Sequence, residues 1–255
     1  MRQAKTTGVQ FVLIAGAFIG TFSLGYHSSA KADPASKVYT PAVVQGEWEL
    51  EFRGGYQRWR NQDGNRERQL VGDVGYAFTS WWKSELATGY TKLPGESWVH
   101  DETEWENIFA LTEPGRYWLD SALFAEYARD HAGHRNLLEI GPLLQKDIGS
   151  VQANLNFLFV REFASSAEPG AGIEYAAQLK WRGNPLFEPG VQAFGGIGRT
   201  NQFGRNTNHR LGPAFFGQMR AGDRQKLRYD AAVLFGLNNN SADTTIRCTL
   251  EYEFY

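Results

Sequence analysis

From about residue 46 to the carboxyl end, apolar and polar residues alternate with a period of two. In 46–59, Trp48, Leu50, Phe52 and Tyr56 fall on one side and Glu47, Glu49, Glu51, Arg53 and Gln57 on the other. In 172–182, Ile173, Tyr175, Ala177, Leu179 and Trp181 alternate with Glu174, Ala176, Gln178, Lys180 and Arg182. The same rule runs through 226–237, where Leu227, Tyr229, Ala231, Val233 and Phe235 share a side. Helical spacing explains none of these, because strand side chains alternate and helical ones recur every three to four residues. Further segments at 69–78, 82–91, 102–111, 118–128, 136–145, 151–161, 187–198, 210–218 and 244–254 bring the total to about twelve. Each has roughly the length that a tilted strand needs to cross a bilayer. Tight links such as TSWWK, DIGS and AGDRQ take turns with longer polar ones such as NQDGNR, LPGESWVHD and RTNQFGRNTN. The pattern predicts an all-β fold, a transmembrane antiparallel up-and-down β-barrel of about 12 strands over 46–255, with both termini in the periplasm.

Three features orient the two faces. Full charges line one face along whole strands and are nearly absent from the other, as a lipid-facing surface requires. Trp81, Trp82, Trp118 and Trp181 fall beside short links, and Trp59 and Tyr90 near long ones, the places of two interfacial girdles. Closure also removes the sheet edges that lipid cannot hydrate. In the closing stretch TTIRCTLEYEFY, the row Ile246, Cys248, Leu250, Tyr252 and Phe254 is therefore expected to meet lipid, with Arg247, Glu251 and Glu253 facing the lumen.

The ends and the composition narrow the setting. Arg2 and Lys5, a short apolar stretch, and small residues at Ala30 and Ala32 form a signal-peptide pattern. Cleavage is expected after Ala32, leaving 33–45 ahead of the barrel as a periplasmic segment, with the alternative that it folds into the lumen as a plug. The single cysteine, Cys248, excludes an internal disulfide framework. A net charge of −2 without a basic tail gives no case for nucleic acid. Aromatic residues at 14% and 28 glycines suit many strands with one apolar face each. The expected location is the outer membrane of a Gram-negative cell, with its lipid as the standing partner.

The last strand, with alternate aromatics through Phe254 followed by Tyr255, resembles the C-terminal signal read by the outer-membrane assembly machinery. The stretches LEIGPLLQKDIGSVQANLNFLFVREF, YAAQLKWRGNPLFEPGVQAFGGIG, HRLGPAFFG and LRYDAAVLFGL resemble a poorly characterised group of proteobacterial outer-membrane barrels. That group is similar in style to the transporter-like barrels of the phenol meta-pathway family. The resemblance covers the second half of the chain. It implies a twelve-strand barrel in the outer membrane and carries over no catalytic residues.

Candidate chemistry lies on the polar face. Glu49, Glu51, Glu102, Glu104, Glu106, Asp120, Glu126 and Glu139 make the first half acidic, with Arg53 and Lys83 as its main inward cations. Lys180, Arg182, Arg228 and Arg247 make the second half nearer balance. Two arrangements fit these charges: a lumen open to small solutes that favours cations, or an interlocked salt-bridge filling without a pore. Glu102, Glu104 and Glu106 stand about 7 Å apart along one face, spacing that a cation can bridge. In the loops, His131 and His134 are a candidate metal pair, with His100 and His209 on the same rim. Ser97, His100 and Asp101 share one loop, but residues so close in sequence rarely make a working triad. No further catalytic motif is present, so neither an enzyme nor a cofactor is expected.

Overall fold

The computed structural model describes residues 33–59, 66–131, 135–165 and 167–255. The expected signal peptide, 1–32, lies outside the described residues. Among the described residues there are twelve strands: β1 (Trp48–Arg58), β2 (Arg66–Ala77), β3 (Trp82–Lys92), β4 (Val99–Ala110), β5 (Asp120–Asp130), β6 (Arg135–Ile148), β7 (Val151–Phe163), β8 (Gly172–Trp181), β9 (Glu188–Arg199), β10 (Gln202–Gly222), β11 (Gln225–Gly236) and β12 (Thr244–Phe254). Each pairs antiparallel with its sequence neighbours, and β12 returns to β1 from Trp48↔Phe254 to Arg58↔Thr244, closing the barrel. Closure is what lets every strand donor and acceptor find a partner without water.

The alternation resolves as expected. Leu50, Phe52, Leu86, Ile140, Leu179, Phe235, Ile246 and Leu250 are exposed on the outside, whereas Glu49, Glu51, Arg53, Glu85, Glu106, Gln192 and Arg247 are buried inside. An apolar exterior over a charged interior places this barrel in a membrane, and its fold is that of outer-membrane barrels. Near the end that carries the short links, Phe254, Trp48, Tyr76, Phe78, Trp82 and Phe109 form a run of ring contacts with centroids 4.7–6.5 Å apart. This is an interfacial girdle, continued by the exposed Trp118 and Trp181. Cys248 sits in the lipid-facing row between Gly54 and Ala231.

One expectation changes. The stretch RTNQFGRNTN, expected as a long loop, belongs mostly to β10, which turns back on β9 at once through Gln202↔Arg199. The register shifts between Phe203 and Asn208, and positive φ at Gly198 (103°), Gly204 (76°) and Asn206 (52°) absorbs the irregularity. Polar residues pair here because the hairpin stands at the membrane rim, where alternation is no guide to strand. For residues 33–45 the sequence left two places open, the periplasm and the lumen. They run inside the barrel: Gly46 N–H donates to Ala77 O at 2.9 Å near the short-link end, and Asp33 O lies 3.4 Å from Arg210 Nη2 in the opposite half.

Phe52 lies mid-strand and 66% exposed on the lipid face. Replacing it by Arg is expected to cost about 2–4 kcal/mol, the charge penalty near a bilayer midplane. Denaturant unfolding from lipid vesicles measures this, with Phe203→Arg, at a position 71% exposed in the rim hairpin, as a nearly neutral control.

Candidate functional site

The interior of the first half is built on a row of like charges. Strand register sets Glu85 opposite Glu106, Glu106 opposite Glu126, and Glu126 opposite Glu139, so four consecutive strands present carboxylates side by side. A second row sets Glu51 between Asp73 and Glu251. Like charges directly opposite are destabilising, so these rows need cations between them. Arg53 reaches Glu51 (3.1 Å), Glu104, Glu106 (both 3.6 Å) and Asp73 (3.7 Å), and Lys83 reaches Glu85 (2.7 Å) and Glu49 (2.9 Å).

The remaining compensation comes from the N-terminal segment. Lys37 Nζ lies 3.1 Å from Glu51, 3.4 Å from Glu106, 3.5 Å from Asp73 and 3.6 Å from Glu85. Neighbouring residues fix its depth. Ala35 N–H donates to Gln69 Oε1 at 3.1 Å; Tyr39 N–H donates to Asn156 Oδ1 at 2.7 Å, and Asn156 Nδ2 donates back to Tyr39 O at 2.9 Å. Apolar residues find apolar inner patches: Tyr39 packs on Phe124 at 4.2 Å between ring centroids, Val43 joins Ile108, Phe124, Leu143 and Leu158, and Val38 meets the patch around Phe194, Phe216 and Leu234. Gly55 makes the passage possible. A Cβ there would stand 2.2 Å from the Pro34 carbonyl carbon and 2.6 Å from Ala35 N, closer than atoms can approach.

The opposite wall is neutral and hydrogen-bonded. Asn154 Nδ2 donates to Gln145 Oε1 (2.9 Å), Gln178 Nε2 to Asn154 Oδ1 (3.1 Å), Gln192 Nε2 to Gln178 Oε1 (3.4 Å) and Arg247 Nη1 to Gln192 Oε1 (2.6 Å). Arg247 also donates to Asp230 at 2.7 Å and to Thr249 at 2.8 Å. Between the walls, Lys37, Val38 and Tyr39 stand as a septum. On the long-loop side lies a cavity of about 230 Å3, lined by Glu102, Glu104, Glu126, Glu139 and Glu174 among others. On the other side lie cavities of about 280 and 80 Å3.

The sequence-selected residues divide accordingly. Glu49, Glu51, Glu104 and Glu106 sit in the central ion-pair network, and Glu102, Glu126 and Glu139 line the outer cavity. Lys180 and Arg182 share Glu188 at 3.4 and 3.6 Å, and Arg228 meets Glu253 (3.0 Å) and Glu251 (3.5 Å) at the inner cavities. Asp120 does not join these groups, because its carboxylate accepts from Gly115 N–H at 2.8 Å in the link before β5. Among the loop histidines, His131 stacks on His100 at 4.4 Å and both share Thr103, on the outer face; His134 lies outside the described residues. His209 bonds Tyr175 at 3.0 Å on another part of the wall. The Ser97, His100, Asp101 loop is split, since Asp101 accepts from Thr91 and lines the outer cavity while His100 packs against Tyr90 outside. Lys37 was missing from the sequence-selected set. Its signal was indirect, an acidic half with too few inward cations of its own.

No protein-family model matches the chain, and no curated protein sequence does. Solved structures share its fold. An outer membrane channel from Pseudomonas putida F1 superposes with a TM-score of 0.53 at 14% identity, covering 86% of this chain and 98% of that one. The translocator domain of the autotransporter NalP from Neisseria meningitidis gives 0.52 at 10% identity, over 83% and 89%. The porin NanC gives 0.51 at 13% identity, over 81% and 99%. At these identities the likeness is one of fold alone.

Removing one partner from a buried charge network costs roughly 3–5 kcal/mol. Lys37→Glu, or Gly55→Val acting by steric exclusion, is therefore expected to undock residues 33–45. Hydrogen exchange measures this as a loss of protection of at least about a hundredfold at the Ala35 and Tyr39 amides, with strand amides unchanged.

Proposed function

We propose that this protein is an outer-membrane channel for small solutes, biased toward cations by its acidic half and closed by residues 33–45. The observation that carries this reading is the septum. The outer cavity is parted from the two inner ones by Lys37, Val38 and Tyr39, which belong to a docked segment and not to the barrel wall. A barrel closed purely for structure can fill its lumen with residues of its own wall. With the segment displaced, the acids left facing the lumen attract cations, because a low-dielectric wall focuses their field.

The lumen residues then take distinct roles. Glu102, Glu126 and Glu139 set the field at the outer entrance; Glu49, Glu51, Glu104 and Glu106 hold the closing segment; Lys180, Arg182 and Arg228 moderate the inner exit, and Arg247 braces the neutral wall. The resemblance to transporter-like outer-membrane barrels supports transport of small solutes. During biogenesis, the row ending at Phe254 and Tyr255 serves as the signal for the assembly machinery.

Planar-bilayer recording tests the channel. The intact chain is expected to stay mostly closed, whereas Lys37→Glu and Gly55→Val raise the open probability at least tenfold and pass cation-selective current. Glu102→Gln with Glu139→Gln lowers that selectivity. Folded but silent variants of both kinds would leave a closed structural barrel in place of the channel.

A further inference from the structure

We infer that a divalent cation site fitted to calcium, made by Glu104, Glu106 and Glu126, lies where the outer cavity meets the central ion-pair network. The inference does not depend on whether the barrel conducts. Carboxylate oxygens of these three residues lie within 4.8 Å of one another, and each residue is at most 9% exposed. Oxygens so spaced can all reach one ion at the roughly 2.3–2.6 Å of calcium–oxygen bonds, a wider and more forgiving shell than magnesium accepts. The cavity beside them leaves room for water to complete a coordination number of six to eight.

An acidic cluster alone would be weak ground, but Glu126 supplies a separate observation. It is 93% removed from solvent by the fold, being 7% exposed, it lines the cavity, and among the described residues it has neither a hydrogen bond nor an ion pair. Its strand neighbours make its position worse: register puts Glu106 on one side and Glu139 on the other. A buried carboxylate between two others and without a donor calls for a cation, because isolated buried charge is costly.

Among the described residues, the protein's own cations reach two of these carboxylates and leave Glu126 without one. Lys37 reaches Glu106 and goes no further along the row, and Arg53 reaches Glu104 and Glu106. Those contacts are 3.4–3.6 Å long, and neither Glu106 oxygen has a hydrogen bond. Glu106 is thus held by long ion pairs alone, with no hydrogen bond to either oxygen, so its lone pairs are not all taken. Calcium is hard and takes oxygen ligands, which are the donors offered here.

The test uses the full-length mature barrel, refolded in lipopolysaccharide-free nanodiscs and stripped with EDTA, then titrated calorimetrically with calcium chloride. One saturable site is expected, with a dissociation constant on the order of 10−4 M, as for modest oxygen-ligand sites. Glu126→Gln keeps the shape, removes an uncompensated charge and should fold as well as the parent. It is expected to weaken binding at least tenfold and to abolish the calcium-dependent rise in thermal transition. Glu113→Gln, in an exposed link, should change neither. Two results overturn the inference: no saturable binding by the folded parent, or equal affinity in the parent and Glu126→Gln.

Discussion

Backbone polar groups in hydrocarbon must be satisfied within the protein, and the rest of this structure follows from that constraint. It forces the sheet to close, and closure assigns every odd or even position to one of two unlike solvents. Once Phe52 and Leu250 belong to lipid, Glu51, Arg53 and Glu251 have only the lumen left. Charges that a soluble protein would scatter over its surface are concentrated in a narrow cylinder. The interior is therefore an electrostatic problem before it is a packing problem.

The two halves of the barrel solve that problem differently. Around β7 to β9, amides bond amides from Gln145 through Asn154 and Gln178 to Gln192, so the wall is complete with little charge. Around β1 to β6, carboxylates face carboxylates across Glu85, Glu106, Glu126 and Glu139, and the wall cannot be completed from its own residues. The missing positive charge arrives on a segment that belongs to no strand. Its apolar side chains then decide the fit, because Val38, Tyr39 and Val43 rest on inner patches that would otherwise face an aqueous lumen.

The fold was legible in the sequence because its signal is local and repeated. A period of two, counted along one strand, gives the inside and outside of that strand, and the same rule over the chain gives Glu49, Glu106 and Arg247 their inward direction. The hairpin of β9 and β10 escaped the rule since Gln202 to Asn208 carry no apolar face to alternate with. The position of residues 33–45 was hidden for another reason. Nothing in DPASKVYTPAVVQ alternates over enough residues to mark an element, and what seats Lys37 is the sum of acids from β1, β2, β3 and β4, which meet only after the barrel closes. Gly55 carried a hint, as a glycine in a strand often marks a close backbone approach. Which backbone approaches could be read only from the structure.

The manner in which the segment is held also bears on how it could leave. Backbone pairing fixes the strands in lipid, where a broken bond finds no water, but the segment is tied by side-chain acceptors at Gln69 and Asn156 and by the charges around Lys37. Neutral hydrogen bonds of this kind contribute about 0.5–1.5 kcal/mol each in net terms, because water replaces them. The larger share lies in the charge network, and that share is conditional. When Lys37 withdraws, Glu51, Asp73, Glu85 and Glu106 are left facing one another, and only other cations can relieve them. A ligand shifts a two-state equilibrium only by its differential affinity for the two states. The acids vacated by Lys37 provide that difference for any cation that enters, so the groups that hold the segment down are also the ones that could reward its release.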